Sequence, residues 1–390
     1  MELADVDALT SPEGQALLAG LPPYDEAGAL ALGERLRRQH PAPLVAAALT
    51  QSRLRARARG KLGPDAERLL LTAEGLEQAT RAEVAARHAA RFAAAGVGDV
   101  VDLCCGVGGE LLALARAGVR ATGVDRDPVA CAVALANAQA LGLSDLVSVR
   151  CADVGDVDVA GFGGAFTDPA RRRGGRRALD PMAWSPPWPF VEALLTAGRP
   201  AGAKVAPGIA HDLVPLGVEA EWTSVGGDLV EAALWSAPLA TARRRATLLP
   251  SGATLTGTGE EPAPPVGPVA QFLLEPDDAV LRAGLVGSVA EQVDGHLVDP
   301  TIAYVASETL VPTPFATPYR VLEALPFQLK RLRAVLRARD VGPLVVKKRG
   351  SAIEPEQLRR QLRLTGSVPA TVVLTRVAGE PWALVVEPVP

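Results

Sequence analysis

The chain has 390 residues, more than one ordinary domain holds, and 48% of them are hydrophobic, which is enough for packed cores. Its formal charge of −4 at pH 7 excludes a globally basic surface, so any contact with nucleic acid must be local. Because no run of about 18 uninterrupted apolar residues occurs and the amino terminus is acidic, we expect no membrane span and no signal peptide, but a cytoplasmic protein.

The four cysteines lie within one third of the chain, at Cys104, Cys105, Cys131 and Cys151. They include no C-x-x-C pair and sit on apolar or glycine-flanked segments, a setting typical of reduced thiols packed in a core. The sequence therefore predicts no disulfide and no metal centre.

Residues 1–79 are predicted to form an N-terminal helical region. It includes "QSRLRARARGKLG" (51–63), whose arginines fall on different helical faces. We interpret them as a solvated basic collar and leave a nucleic-acid contact open. Thr80 and Glu83 fit a T-x-x-E capping box, which predicts a helix that runs to about Ala95.

Strands and helices alternate from residue 100 onward. The predicted strands are 100–104, 120–124, 147–151, 163–167, 202–206, 229–236 and 244–249, and the predicted helices are 108–117, 127–141 and about 188–198. Strands that alternate with helices of about 10–15 residues indicate βαβ units and a mostly parallel sheet. Functional residues are then expected just beyond the carboxyl ends of the strands.

The last third of the chain predicts a second module. Residues 251–268 are rich in Gly, Pro, Ser and Thr without an apolar period, which indicates a linker or a hairpin extension. Residues 269–390 alternate between strand and helix patterns and predict a small α+β domain. The fold class is therefore α/β, with a Rossmann-like, mostly parallel sheet in residues 80–250, a helical extension before it and the α+β domain after it.

The stretch "VVDLCCGVGGE" (100–110) is a strand that runs into a glycine turn. Gly106 and Gly108 allow a ligand to approach backbone that any Cβ would block. The dinucleotide fingerprint requires a third glycine where Leu111 stands, which disfavours NAD. Asp125 ends the next strand, nineteen residues after Gly106, where an acidic side chain holds ribose hydroxyls. The pattern predicts a bound nucleoside without a pyrophosphate.

Further aspartates follow the next strands. Asp153 in "CAD" is placed to accept from an adenine amino group, and Asp168 ends the strand in "AFTDPARR". Each has a plainer interpretation as a cap or a turn former. What favours a binding site is the ordered recurrence of such residues at four successive strand ends, at Asp102, Gly106, Gly108, Asp125, Asp153 and Asp168.

With these residues the chain resembles the class I S-adenosylmethionine-dependent methyltransferases over residues 80–250. "VDLCCGVGG" is similar to the first motif of the trimethylguanosine-synthase-like and related RNA methyltransferases. The resemblance implies S-adenosyl-L-methionine as the cofactor. It places Asp102, Cys105, Gly106 and Gly108 around the methionine end, Asp125 on the ribose and Asp153 on the adenine. Residues 269–390 look like the THUMP-like domain of bacterial enzymes of this type, which implies RNA binding by analogy.

The expected methyl-acceptor segment departs from the family. Base-amine methyltransferases carry Asp, Asn or Ser followed by Pro-Pro and an aromatic residue, whereas Asp168-Pro169 is followed here by Ala170 and Arg171. The resemblance implies that Asp168 faces the acceptor, with Pro169 beside it, but leaves the methylated atom open. The nearby "SPPW" (185–188) has the right letters, yet it follows no predicted strand and its prolines predict a helix start.

Candidate substrate-binding residues combine guanidiniums suited to phosphate, rings suited to stacking and lysines suited to RNA backbone. They are Arg171, Arg172, Arg173, Trp184, Trp188, Lys347, Lys348 and Arg349. Solvated charge and core packing are their plainer interpretations. In the α+β domain, Lys330, Arg333 and Arg337 are predicted to lie on the exposed basic face of a helix.

Taken together, these patterns predict a methyltransferase that acts on a base in a structured RNA such as tRNA or rRNA, with neither a metal nor a membrane as partner. Two alternatives remain. One is a small-molecule methyltransferase whose arginines recognise an acidic metabolite. The other is a cofactor-binding RNA-binding protein without catalysis, which the incomplete acceptor motif permits.

Overall fold

The structure is a computed structural model that describes residues 1–170 and 180–389, together with the backbone of residues 172–173 and 176–177. It divides into two compact units. The first comprises Met1–Glu219 and Ala233–Thr241, and the second comprises Ala220–Ala232 and Ala242–Pro390. The predicted α/β fold class is confirmed, with helices before the first sheet and a strand-rich C-terminal part.

The first unit begins with helices, as the sequence predicts. They are α1 (Leu3–Thr10), α2 (Pro12–Ala19), α3 (Ala29–Leu36), α4 (Ala42–Leu62), α5 (Ala73–Gln78) and α6 (Ala82–Ala94). Side-chain caps begin two of them, because Ser11 accepts from the Gly14 N–H in α2 and Thr72 accepts from the Gly75 N–H in α5. The capping box predicted at Thr80 is wrong, since α6 follows Arg81 and has no side-chain cap.

The methyltransferase-like sheet of the first unit is parallel. The elements of this part of the chain are β1 (Asp99–Leu103), α7 (Gly109–Arg116), β2 (Arg120–Asp125), α8 (Pro128–Ala140), β3 (Val147–Cys151), β4 (Gly164–Thr167), the two-residue strands β5 (Arg172–Arg173) and β6 (Arg176–Arg177), which pair only with each other, α9 (Trp188–Thr196) and β7 (Ala201–Val205). Five of these strands pair in the order β3-β2-β1-β4-β7, all in parallel. Their carboxyl ends therefore share one edge, where ligands bind in such sheets.

The buried amide of Asn137 ties α8 to two neighbouring segments. Its Nδ2 donates to the carbonyl oxygens of Leu70 and Val107 at 3.0 Å each, and its Oδ1 accepts from the Leu70 N–H at 2.6 Å. Since Val107 belongs to the glycine turn after β1, one side chain anchors the ligand loop to the helical region that precedes the sheet. A fully satisfied buried polar group of this kind specifies a single arrangement.

The second unit is mainly antiparallel. The elements that follow β7 along the chain are β8 (Glu219–Val225), β9 (Asp228–Trp235), β10 (Arg244–Leu249), β11 (Ala253–Gly257), β12 (Phe272–Pro276), α10 (Asp278–Ala283), α11 (Val286–Gln292), β13 (His296–Asp299), β14 (Ile302–Ser307), β15 (Ala316–Pro326), α12 (Leu329–Ala338), β16 (Val341–Lys348), α13 (Pro355–Leu362), β17 (Val368–Val377) and β18 (Glu380–Pro388). Seven strands form a sheet in the order β13-β14-β12-β15-β18-β17-β16, in which β16 and β17 pair in parallel. Helices α12 and α13 bury Leu332, Leu336, Leu358 and Leu362 in the same hydrophobic cluster as residues of β16, β17 and β18.

Candidate active site

The glycine turn after β1 has the backbone geometry that its residues predict. Gly106 and Gly108 adopt φ of +53° and +91°, in the left-handed region that disfavours side chains. A Cβ added at Gly106 would meet no atom within 4 Å, so open space lies against this backbone. A Cβ at Gly108 would approach Ala134 of α8 to 3.4 Å. Gly106 therefore leaves room for a ligand, whereas Gly108 allows the turn to pack on the helix.

Asp125, at the end of β2, is fixed by two backbone N–H groups. Its Oδ2 accepts from Gly106 and its Oδ1 from Asp127, each at 3.0 Å. Each carboxylate oxygen retains a lone pair for a further donor. The carboxylate is thus held next to the glycine turn, with the acceptor capacity that two ribose hydroxyls require.

A cavity of about 310 Å³ lies at this edge of the sheet. Two predicted cofactor residues, Asp125 and Asp153, line it together. Asp153 also accepts from the Gly155 N–H at 2.9 Å, so its plainer role as a cap holds beside the functional one. The remaining lining residues were not among the predicted site residues, although "SPPW" was considered, and they are Cys104, Arg126, Val154, Gly155, Ala170, Ser185, Pro186, Pro187 and Phe190.

The "SPPW" segment lies beside the expected acceptor segment. Ala170 and Ser185 exchange two backbone hydrogen bonds, of 2.8 Å and 3.1 Å, which brings Ser185-Pro186-Pro187 into the cavity wall. No local sequence pattern links Ala170 to Ser185, because fourteen residues stand between them. The letters S-P-P were the available signal, and spatial pairing rather than strand order gives them their position.

Asp102 and Cys105 are buried beneath the turn. Asp102 is 1% exposed, and its Oδ2 has no hydrogen-bond partner among the described residues. Burial, with added repulsion from the Glu110, Asp168 and Asp125 carboxylates, raises the pKa of Asp102 well above its usual range. Cys105 packs against β2, because a Cβ at Gly123 would come 2.9 Å from its sulfur. One oxygen of Asp102, Oδ2, therefore lacks a partner among the described residues, while the Cys105 thiol is a packing group.

Asp168 forms a partly buried ion pair that was not predicted from the sequence. Lys204, near the end of β7, is 5% exposed and places its Nζ 2.6 Å from Asp168 Oδ2. The same Nζ donates to Thr80 Oγ1 at 3.1 Å and to the Gln78 carbonyl oxygen at 3.3 Å. This explains the failed capping box, since the Thr80 hydroxyl accepts from Lys204 instead. A lysine inside the otherwise apolar strand "AGAKV" was the signal that could have revealed it.

The predicted stacking residues are buried. Trp184 and Trp188 are 4% and 5% exposed, and their rings meet edge to face with centroids 6.4 Å apart. Their observed contacts are packing, which does not favour a stacking role, so that role stays a prediction. The side chains of Arg171, Arg172 and Arg173 lie outside the described residues, and their contact with substrate likewise stays a prediction.

The basic residues predicted at the end of β16 all have acidic partners in the second unit. Lys347 pairs with Glu275, Lys348 with Glu354, and Arg349 with Asp278 at 3.8 Å. Glu275 Oε2 also accepts from Tyr319 Oη at 3.2 Å. Their charges are therefore largely compensated. The exposed cations with no carboxylate partner among the described residues include Lys330, Arg331, Arg337, Arg360 and Arg363, on or next to α12 and α13.

Replacing Lys347 with Met is expected to lower the free energy of unfolding by about 1–2 kcal/mol, because it leaves the half-buried Glu275 carboxylate without its cation. Urea unfolding of the full chain measures this. Lys330→Met is the matched control at an exposed position of α12, with an expected change within about 0.5 kcal/mol. Equal effects of the two substitutions would contradict a structural role for Lys347.

The sequence relatives of the chain show to which family it belongs. Two proteins from strains of Mycobacterium tuberculosis, each named as an uncharacterized S-adenosylmethionine-dependent methyltransferase, are 41% identical to the chain over 336 residues. The match covers 83% of this chain and 90% of each relative. The chain belongs to the S-adenosylmethionine-dependent methyltransferases. The crystal structure of a putative methyltransferase from Porphyromonas gingivalis W83 shares the fold, with a TM-score of 0.72 at 20% identity over 95% of this chain and 100% of that chain.

Three family models match parts of this methyltransferase. Residues 97–192 match the RNA cap guanine-N2 methyltransferase family, and residues 316–388 match a THUMP domain-like family. Residues 2–58 match a domain of unknown function. The resemblance to trimethylguanosine-synthase-like enzymes with a THUMP-like domain is confirmed by these matches.

The residues at the sheet edge fit S-adenosylmethionine, the cofactor of the family. The open backbone at Gly106, the fixed carboxylate of Asp125 and the cavity suit a nucleoside. The partnerless Oδ2 of Asp102 suits the α-ammonium of a methionine. Each assignment of a residue to a part of the cofactor remains a prediction. The cavity is lined by Asp125 and Asp153, whereas Asp102, Cys105, Gly106 and Gly108 are not among its lining residues.

Cofactor binding is expected to release a proton from Asp102. In the free protein, burial and the neighbouring carboxylates raise the pKa of Asp102 and favour its protonated form, whereas a nearby ammonium favours the ionised form. Affinity should therefore rise with pH until the pH exceeds the pKa of Asp102 in the free protein. Calorimetry in two buffers of different ionisation enthalpy measures the proton, and Asp102→Asn should abolish it. Binding heats that do not depend on the buffer would contradict the contact.

Other features of the described residues give less functional information. All four cysteines are free thiols, and Cys151 is exposed rather than packed. Burial raises the pKa of Cys104 and of Cys105, which disfavours a nucleophilic thiolate. Within this part of the chain, no cluster of His, Cys, Asp and Glu is arranged to hold a metal ion. None of the described helices has the length and apolar character to cross a membrane.

Proposed function

We propose that this methyltransferase transfers the methyl group to a base in a structured RNA, such as tRNA or rRNA, in the cytoplasm. The observation that carries the proposal is Asp168, a carboxylate at the end of β4 whose backbone N–H donates to the Leu103 carbonyl beside the glycine turn. The match of residues 97–192 to an RNA methyltransferase family includes this position, Asp125 and Asp153, and supports RNA as the substrate class. The THUMP-like match at residues 316–388 adds support.

The chain's own residues have distinct tasks in the proposed reaction. The bound cofactor supplies an electrophilic methyl group on a sulfonium. Asp168 accepts a hydrogen bond from the acceptor atom, orients its lone pair and takes or relays the proton lost on methylation. Ser185, Pro186 and Pro187 line the cavity together with Ala170 of the acceptor segment.

The second unit offers a place for the RNA backbone on α12 and α13. Lys330, Arg331, Arg337, Arg360 and Arg363 are exposed and lack carboxylate partners among the described residues. Arg337 Nη2 donates to the Arg363 carbonyl oxygen at 3.2 Å, which brings the two helices' basic residues together. Uncompensated cations of this kind bind phosphates and release counterions.

The slope of log affinity for RNA against log salt is negative. Neutralising Lys330, Arg337 and Arg360 together is expected to make it less steep by about 2–3, since each phosphate contact contributes about 0.7–0.9. Filter binding from low to moderate salt measures the slope. The matched control is the triple replacement of Lys347, Lys348 and Arg349, whose charges already have acidic partners. It should reduce the steepness of the slope less. The opposite order would move the proposed RNA contact to β16.

Transfer of a labelled methyl group tests the function directly. The purified protein is incubated with labelled S-adenosylmethionine and either total RNA from cells that lack the gene or a metabolite extract of the same cells. Label in RNA, located by mass spectrometry of its nucleosides, is the expected result. Label in the extract alone would identify a small-molecule methyltransferase. Cofactor binding without any transfer would identify a protein that has lost catalysis.

A further inference from the structure

Lys204 connects the acceptor position to the N-terminal helical region. Lys204 is a residue of β7. Its ammonium group donates to Asp168 Oδ2 at 2.6 Å, to Thr80 Oγ1 at 3.1 Å and to the Gln78 carbonyl oxygen at 3.3 Å. A buried ammonium is costly unless acceptors replace the water it loses. The segment between α5 and α6 therefore supplies part of the environment that keeps this charge next to Asp168.

The carbonyl end of α5 is held by two lysines. Lys61 Nζ donates to the carbonyl oxygens of Leu76 and Glu77 at 2.8 and 2.9 Å, and Lys204 takes that of Gln78. The last carbonyls of a helix have no partner within it, and cations there are favourable. Burial, with the neighbouring Lys204 charge, lowers the pKa of Lys61 to about 8, so this second ammonium is also partly withdrawn from water. The helix end and the two lysines form one clamp.

The clamp gives the two oxygens of Asp168 different tasks. Oδ2 faces the Lys204 ammonium, which can only donate. Oδ1 has no partner among the described residues, and the side chain is 23% exposed. A carboxylate oxygen in this position accepts hydrogen bonds and cannot donate them while it is ionised. A ligand that approaches Oδ1 must therefore bring the hydrogen.

We propose that Lys204 is a positioning residue that fixes the hydrogen-bonding polarity of Asp168, so that the site takes a methyl acceptor that donates a hydrogen, such as an exocyclic amine. The inference rests on the proposed function, because it assumes that Asp168 faces the acceptor. It deepens that function by assigning the chemistry of the acceptor atom. It also makes residues 61–80 part of the acceptor site.

An asparagine at position 168 reveals the polarity. Next to Lys204 its amide oxygen must turn toward the ammonium, so that the NH2 group faces the acceptor and repels another donor. Without the ammonium, the amide can rotate and present its oxygen instead. The effect of Asp168→Asn therefore depends on what stands at position 204.

The test is a double-mutant cycle on the full chain. We expect Asp168→Asn to lower kcat about 100-fold when Lys204 is present. In the Lys204→Met background the same substitution should cost about 10-fold or less, because the two positions are coupled. Cofactor affinity should change little in all four proteins. Equal costs of Asp168→Asn in both backgrounds would overturn the proposal.

A second substitution at position 204 provides a background for the cycle if the Lys204→Met protein does not fold. Lys204→Gln retains a polar side chain that can pair with either end of an asparagine amide, so Asp168→Asn should again cost little. Thermal unfolding of each variant shows which background is folded. Thr80→Val, which removes one acceptor of Lys204 without touching Asp168, is the matched control and should leave the large effect of Asp168→Asn in place.

Failure of the proposed function is distinguishable from failure of this inference. If the parent protein methylates a metabolite, RNA is excluded and the cycle is measured on that acceptor. If it methylates nothing, amide hydrogen exchange tests whether Lys204 holds the end of α5. The N–H groups of Leu76 and Ala79 bond to carbonyl oxygens within the first and second turns of α5. Lys204→Met and Lys204→Gln should speed their exchange and Asp168→Asn should not, whereas unchanged exchange in all variants would refute the clamp.

Discussion

Replacing Asp168 with Ala is expected to lower methyl transfer about 100-fold or more, while cofactor affinity stays nearly intact. The carboxylate pairs with Lys204 and does not line the cofactor cavity, so its loss affects the acceptor and not the nucleoside. Single-turnover rates at saturating cofactor measure the first effect, and calorimetry measures the second. The alanine also leaves the Lys204 ammonium without its anion, and we expect a stability loss of about 3–5 kcal/mol at most.

Asp145→Ala is the control for this result, because Asp145 is exposed and lies in the loop before β3. It should leave rate, affinity and stability unchanged. An Asp168→Ala protein that is folded and methylates at the parent rate would show that the carboxylate is only a partner for Lys204.

Replacing Asp125 with Ala is expected to weaken cofactor binding by about 1.5–3 kcal/mol, the range of hydrogen bonds to a charged group. The same change removes the acceptor of the Gly106 and Asp127 N–H groups, so the glycine turn loses support as well. Calorimetry with S-adenosylmethionine and with S-adenosylhomocysteine measures the loss. Both ligands should be affected equally, because both carry the ribose.

The control for Asp125 is Asp156→Ala, an exposed carboxylate a few residues beyond β3 that does not line the cavity. Unaltered affinity of the Asp125→Ala protein would remove the ribose assignment. Tight binding of NAD by the parent protein would be incompatible with the loop geometry argued from Leu111, which is packed in the core where the dinucleotide loop needs a glycine.

Local signals in the sequence were enough to predict the parallel sheet and the glycine turn. The strands that flank α7 and α8 are short apolar runs bounded by turns, and their observed bounds differ from the predicted ones by a residue or so. The left-handed φ of Gly106 and Gly108 follows from glycine at those positions. Asp125 needed one further argument, that the carboxyl ends of parallel strands meet at one edge.

The acceptor site was harder to predict because its residues meet only in three dimensions. No local pattern links Lys204 to Asp168, or Ser185 to Ala170, and a T-x-x-E match at Thr80 pointed to a helix cap. β8 was missed, because Glu219 and Glu221 interrupt its apolar pattern and both are buried. The cations at the end of β16 suggested a free basic surface, because a sequence shows cations but not which carboxylates pair with them in the fold.

The clamp at the end of α5 has a consequence for how such enzymes are recognised and cut into parts. Lys61, Gln78, Thr80 and Lys204 all fall outside the stretches matched by the three family models, 2–58, 97–192 and 316–388. A search that scores one domain at a time never weighs these positions. A fragment that starts at residue 97 would keep the glycine turn and Asp168 but remove Gln78 and Thr80, which both accept from the Lys204 ammonium. Comparison of whole chains includes these positions in the alignment. Expression of the whole chain keeps them in the protein.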